Sequence, residues 1–197
     1  MTAATNALQS SATETDATGV VIHPSPGEVT PDDFKAVFRH HPGGVSLITA
    51  DAGEGPVALT VTSVISVSVT PPLLVFTVSA LSSSTPTIRK TDTVVVHLLS
   101  AGELTLAKLG ATSGIDRFAD TSLWSRLESG EPYFLAAHTW IRGKIVNRME
   151  VGDSTVIAVQ ALQISGQKGA AENPTNPLVY YNRTWHQLGE HSVIDLT

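Results

Sequence analysis

Residues 56–91, PVALTVTSVISVSVTPPLLVFTVSALSSSTPTIRKT, constrain the fold more than any other part of the chain. Two runs dense in Val, Leu, Thr and Ser have strand composition and are joined by Thr70-Pro71-Pro72. The second run ends in Ser82-Ser83-Ser84-Thr85-Pro86. Thr85 can cap a helix there, and Pro86 fits the first helical position, where a missing N–H costs nothing. Hydroxyls leading into a helix N-terminus offer O–H and N–H donors to an anion. A hydroxyl-rich strand followed by such a cradle suits a phosphorylated aromatic group lying across both.

The length of 197 residues allows one domain with a substantial core. With 42% apolar and 15% charged residues, the chain as a whole is not a disordered one. A net charge of −6 argues against nucleic acid or an anionic membrane as a partner, and no apolar run reaches the length of a membrane span. The absence of cysteine excludes disulfides and thiolate metal sites and fits a cytoplasmic setting. The histidines show neither HExxH nor HxH spacing, so no metal site is expected. Residues 1–28, rich in Ala, Thr and Ser, read as a flexible arm, or as an arm docking on a partner subunit through Val20-Val21-Ile22. They lack the basic start and apolar stretch of a secretory signal. The domain is expected over 29–190 and a short tail over 191–197.

Thr30-Pro31-Asp32-Asp33 predicts a capped helix start, with Phe34, Val37 and Phe38 giving it one buried face. Pro42-Gly43-Gly44 stops that helix. A strand over 45–50, a turn at 51–55 and the 56–79 pair follow. A short helix is expected from Pro86 to Lys90, and a strand from Val94 to Leu99 interrupted by His97. A capping box at Ser100 and Glu103 starts a second helix, and residues 112–136 wrap the surface. Strands over 140–149 and 155–164 form a hairpin, and 165–176 is a loop. A last hairpin turns at Asn182-Arg183. The sum is mainly β with helical additions, an antiparallel barrel. A parallel nucleotide-binding fold is not supported, because no GxGxxG follows a strand and strands do not alternate with full-length helices.

The order of motifs resembles the flavin reductase family, small FMN-binding split-barrel proteins that supply reduced flavin to two-component monooxygenases. The resemblance covers residues 31–188. It is carried by FRHHPGGVSLIT at 38–49, LTVTSVISVS at 59–68, PPL at 71–73, SSST at 82–85, DRF at 116–118, GDST at 152–155 and PLVYY at 177–181. It implies an antiparallel split β-barrel of the FMN-binding type and a homodimer with flavin near the subunit contact. It further implies FMN or FAD, NADH or NADPH as co-substrate, and a partner monooxygenase. By the same resemblance, Thr60, Val61, Thr62 and Ser63 lie along the isoalloxazine edge. Ser79, Ser82, Ser83, Ser84 and Thr85 hold the ribityl chain and phosphate, and the loop of Asp116, Arg117 and Phe118 closes over the flavin. Ser154 and Tyr181 fall on the nicotinamide side, with His138 a further candidate there.

Three positions depart from the family pattern. Thr62 stands where Asn is frequent, and Ser154 ends a Gly-Asp-His motif that here reads Gly-Asp-Ser. The serine turn lacks the cation often found in it, leaving Arg89 and Lys90 as the nearest in sequence. Plainer readings stand beside the functional ones. Ser66 and Ser68 serve the strand, Asp116 and Arg117 form a surface ion pair beside a core Phe118, and His40 and His41 suit a helix C-terminus. His97 is a hydrogen-bonded core histidine. Arg183 and Trp185 either line the pocket or pack the barrel. Hydride transfer from NAD(P)H to flavin requires no acid or base, in keeping with the lack of a catalytic constellation. The alternatives are a non-catalytic flavin carrier, a split-barrel oxidoreductase with another donor, and a structural dimeric barrel. The lack of an obvious basic pocket for a 2′-phosphate leans toward NADH.

Overall fold

The computed structural model describes residues 27–165 and 176–194. The expected arm over 1–28 and the loop over 165–176 lie almost wholly outside the described residues, as does the end of the tail. The chain divides into two compact units, residues 1–40 and 41–197. In the first, helix α1 (Pro31–Arg39) starts at a capping box in which Asp33 N–H donates to Thr30 Oγ1 at 3.1 Å and Thr30 N–H to Asp33 Oδ2 at 3.3 Å. Phe34 and Phe38 contact each other with ring centroids 4.6 Å apart. The expected buried face is not buried in the single chain: Phe34, Val37 and Phe38 are 57%, 71% and 55% exposed.

The second unit is built on antiparallel strands β1 (Gly43–Gly44), β2 (Ser46–Asp51), β3 (Pro56–Val61), β4 (Ile65–Ser68), β5 (Leu73–Ser79), β6 (Thr93–Leu98), β7 (Trp124–Arg126), β8 (Pro132–Phe134), β9 (Trp140–Val151), β10 (Ser154–Ile164), β11 (Leu178–Tyr181) and β12 (Thr184–Gln187). Helices α2 (Thr85–Lys90) and α3 (Leu104–Ala111) are the additions. Seven strands form one sheet in the order β3-β2-β6-β9-β10-β5-β4; β1-β11-β12 form a second, and β7-β8 a hairpin.

The run over 56–69 is two strands, not one long strand, and the break explains the barrel. β3 and β4 occupy opposite edges of the seven-stranded sheet yet are joined by residues 62–64 alone. That link reaches about 14 Å at most, whereas the edges of a flat sheet this wide stand about 30 Å apart. The sheet must therefore curl until its edges meet. Ser63 Oγ marks the seam, accepting Thr77 N–H from β5 at 3.0 Å. The result is an antiparallel split β-barrel.

Alternation on β5 and β10 turns Leu74, Phe76, Val78, Ile157 and Val159 inward onto a core shared with Ile48 and Ile88. A second core gathers Leu47, Leu99, Leu106, Phe118, Phe134 and Leu178. β2 serves both, Ile48 on one face and Leu47 on the other, which is why it reads as a continuous buried run. His97 is fully buried among these residues; its Nδ1 lies 2.9 Å from Leu47 O, and its Nε2 accepts Phe134 N–H at 3.2 Å. The wrapping segment over 112–136 is pinned by Arg126 to Asp51 at 2.6 Å and by Arg142 to the buried Glu131 at 2.8 Å. Burial pushes the Glu131 carboxyl up, but hydrogen bonds from Ser129, Thr93 and Arg142 outweigh it and hold the group below its ordinary value.

Candidate functional site

The barrel seam opens into a groove of about 460 Å³. One wall is the end of β3 and the link beyond it: Leu59, Thr60, Val61, Thr62 and Ser63. Thr77 and Ser79 from β5, Ser154 from β10 and Ser82 from the serine turn add hydroxyls. Ala111 from α3, Tyr180 from β11 and Trp185 from β12 complete the lining. These lining residues include no acid, histidine, lysine or arginine; Tyr180 is their ionisable member.

Besides that of Ser63, four of these hydroxyls have a defined hydrogen-bond partner. Thr60 Oγ1 donates to Ala107 O at 2.8 Å, which ties the groove wall to α3. Ser79 Oγ accepts Leu81 N–H at 3.2 Å, and Ser82 Oγ accepts Ser84 N–H at 3.3 Å, so both retain an O–H to donate. Ser154 Oγ donates to Asp153 Oδ1 at 3.2 Å.

The structure thus brings Thr60, Val61, Thr62, Ser63, Ser79, Ser82 and Ser154 onto one groove. Other expected site residues are placed elsewhere. Ser84, not Thr85, is the residue before α2, so Pro86 takes the second helical position. Both hydroxyls are buried and committed inside the protein: Ser84 Oγ donates to Ala58 O at 2.8 Å and Thr85 Oγ1 to Ser79 O at 2.6 Å. They shape the turn and do not face a ligand. Ser83 is exposed outside the lining. Arg89 pairs with Glu150 at 2.7 Å, and Glu150 also accepts from Thr155 at 3.0 Å. Phe118 is core, stacked on Phe134 at 5.2 Å and edge-on to Trp124 at 5.0 Å. Asp116 Oδ1 accepts Phe118 N–H at 2.9 Å and is not paired with Arg117. Tyr181 alternates away from the groove, toward His186, and Arg183 sits in the hairpin turn. His138 lines a separate cavity with Ser100, Glu103 and Asn176, its N–H donating to Glu103 Oε1 at 2.8 Å.

The cation nearest the serine turn is Arg117, supplied by a distant loop. Its guanidinium lies 3.5 Å from Ser84 Oγ and donates to Thr112 O at 2.7 Å, beside the groove residue Ala111. No carboxylate among the described residues pairs with it, and its Nε is buried without a hydrogen-bond partner. Burial holds its pKa below the ordinary arginine value, and the group stays cationic. An uncompensated, half-buried cation beside a hydroxyl turn fits a phosphate.

Tyr180 was not legible as a groove residue in the sequence. The period-two signal was present for Tyr180, since Leu178 is buried and Tyr180 shares its face. Gly43 read only as a helix stop, yet it forms β1.

The fold and groove define a split-barrel protein with a neutral, hydroxyl-lined groove. The flavin reductase like domain model matches residues 38–189, and the chain belongs to the flavin reductase family. It is 36% identical over 155 residues to an NADH:FMN oxidoreductase of Rhodococcus qingshengii, covering 79% of this chain and 80% of that protein. It is 26% identical over 149 residues, 76% of each chain, to the reductase component of a 4-nitrophenol 4-monooxygenase/4-nitrocatechol 2-monooxygenase of Rhodococcus opacus. Among solved structures it resembles a flavin reductase domain protein from Arthrobacter sp. FB24, with a TM-score of 0.74 at 30% identity, covering 81% of this chain and 96% of that one.

Proposed function

We propose that this chain is an NAD(P)H-dependent flavin reductase that accepts FMN, with FAD as the alternative, and passes reduced flavin to a separate monooxygenase. The observation that carries the reading is the groove itself, lined by hydroxyls and by Tyr180 and Trp185, with Arg117, which has no carboxylate partner among the described residues, near the serine turn. When bound, the nicotinamide supplies a hydride and the flavin accepts it.

The protein's part is to bind and orient. The main chain of Thr60 to Ser63 and the Thr62 hydroxyl hold the ring edge, and Ser79 and Ser82 the polyol chain. Arg117 takes the phosphate by charge-assisted hydrogen bonding. Fixing two rings face to face at about 3–3.5 Å is most of what such a reaction needs. Groove residues without acidic or basic side chains neither supply nor remove a proton, which suits hydride transfer. They also hold no cation for a 2′-phosphate, favouring NADH over NADPH.

A homodimer belongs to the same proposal. On the outer face of the sheet, the groove residues Ser79, Ser154 and Thr77 are continuous by register with Val151, Met149, Val75 and Ile65. Met149, Val151 and Ile65 are 56%, 50% and 58% exposed, an apolar strip that a second copy would cover. Among the described residues no helix is long and apolar enough to cross a membrane; a cytoplasmic setting, where NAD(P)H is at hand, is part of the proposal. The test mixes purified protein with NADH or NADPH and FMN and follows the nicotinamide absorbance band. Acceleration over free flavin is expected, greater with NADH; none with either donor ends the reductase reading. Tight yellow binding without turnover makes the chain a carrier instead.

A further inference from the structure

We propose that Tyr180 and Trp185 form a stacking wall for the heteroaromatic ring held in the groove, and that Gly43 is the positioning residue that sets this wall's distance from Thr62; the proposal rests on the flavin reductase reading above. β11 and β12 are joined by Asn182 and Arg183, both at positive φ (47° and 61°), the backbone of a tight two-residue hairpin turn. That turn fixes the register that sets Tyr180 opposite Trp185, with ring centroids 4.7 Å apart. Both rings pack on the second core and border the groove, and they are tilted 59° to each other, so a flat ring that stacks on one meets the other edge-on.

Along its other edge β11 pairs with β1, Gly43 opposite Tyr180. A Cβ on Gly43 would lie 2.9 Å from both the Cβ and the carbonyl oxygen of Thr62. Thr62 is itself a groove residue, and its backbone cannot swing aside as a flexible side-chain tip could. Only glycine at 43 lets β1, and Tyr180 with it, stand this close to the β3 wall. Leu178 of β11 is tied to the ends of the large sheet, its N–H donating to Leu99 O at 3.1 Å and its carbonyl accepting Val45 N–H at 3.0 Å, and Gly43 is where the neighbouring β1 comes against the groove residue Thr62. A groove lined by both hydrogen-bonding groups and aromatic rings takes a planar, uncharged ring system. The isoalloxazine of flavin is such a ring system, and the dihydronicotinamide of NADH is planar and uncharged.

The experiment compares Trp185→Leu, Trp185→Phe, Gly43→Ala and the Gly43→Ala/Trp185→Leu pair with wild type. It measures FMN dissociation constant, emission of bound FMN, KM for NADH at saturating FMN, and the thermal melt. Loss of one stacking face weakens binding about tenfold. If the stacked ring is flavin, Trp185→Leu raises the FMN dissociation constant by that factor and brightens bound FMN. If it is nicotinamide, KM for NADH rises instead and FMN binding holds. Trp185→Phe, which keeps a face, stays within about threefold of wild type. Gly43→Ala reproduces the Trp185→Leu defect on the same readout, and the double variant is no worse than Trp185→Leu alone, because both act through one wall. Wild-type values for Trp185→Leu on FMN and NADH together overturn the stacking wall, and additive losses overturn the role of Gly43. Should Trp185→Leu not fold, unchanged constants in Gly43→Ala overturn the proposal. A wild-type protein that neither binds FMN nor oxidises NAD(P)H fails the reductase reading itself, a result distinct from turnover indifferent to Trp185.

Discussion

At Arg117 and His97, burial has consequences that can be tested. Arg117 has no carboxylate partner among the described residues, and its Nε is buried without a hydrogen bond. A half-buried cation with no carboxylate partner gains from an anion that arrives to pair with it. Arg117→Ala is therefore expected to weaken FMN binding about tenfold or more while leaving riboflavin binding little changed. Parallel fluorescence titrations check this, and equal losses for both ligands would mark Arg117 as purely structural. His97 is different, because both ring nitrogens are satisfied when it is neutral, one toward Leu47 O and one from Phe134 N–H. Protonation would set a second N–H against the Phe134 N–H. Burial accordingly pushes its pKa from 6.5 down to about 4, opposed by the hydrogen bond to Leu47. The folded state then binds fewer protons than the unfolded chain between those values, so stability falls as pH drops from 6.5 toward 4. The loss is about 3 kcal/mol across the window. Histidine C2-proton NMR checks it: a His97 signal titrating near neutrality contradicts the burial argument. The sequence showed a polar residue inside an apolar strand and so a core histidine. It could not show Arg117 at the serine turn, because a loop 33 residues away along the chain brings it there.

At the scale of elements, the position of α3 on β3 is set by Gly110. A Cβ there would overlap the Leu47 side chain and Thr60 Oγ1 and come within 3.1 Å of Thr60 N. Thr60 is both a groove residue and the donor to Ala107 O on α3, so the helix and the site wall move together. Gly110→Ala is expected to destabilise by about 1–3 kcal/mol through overpacking and to weaken FMN binding in the same variant. Gly102→Ala, where the nearest atom is Ser100 Oγ at 3.8 Å, serves as the control with little change in melting temperature. Thermal melts with and without FMN separate the two. The helices and hairpins themselves were legible, because caps, turns and alternation are local. The split of the 56–69 run at Thr62 was not, since its Val, Thr and Ser composition continues through the break.

For the whole molecule, curling the sheet puts the groove on an outer face that is hydroxylated at one end and apolar beyond. Covering the apolar strip predicts a dimer, measured by light scattering as twice the monomer mass, and Met149→Lys is expected to shift it toward monomer. A monomeric wild type at micromolar concentration would contradict this. The neutral lining makes a second prediction. With Tyr180 the ionisable lining residue, turnover at saturating FMN and NADH should vary by less than about twofold between pH 6 and 8. A limb near 6.5 in the pH profile would place a histidine in the reaction and contradict the neutral groove. His97 does not interfere, as its titration lies below that range.

The sequence alone determined the antiparallel β class, the capped helices, the hydroxyl-rich strand and the serine turn, and through their order the family. Those features arise from side-chain period, turn chemistry and capping, all of which act over a few residues. The tertiary structure decided which hydroxyls face the groove and which are bonded inward, as Ser82 and Ser84 divide within one turn. It decided that Tyr180 rather than Tyr181 lines the site, and that the nearby cation is Arg117 rather than Arg89. Orientation and long-range approach depend on how a sheet closes, and a three-residue link between opposite sheet edges sets that closure only once every other strand is in place.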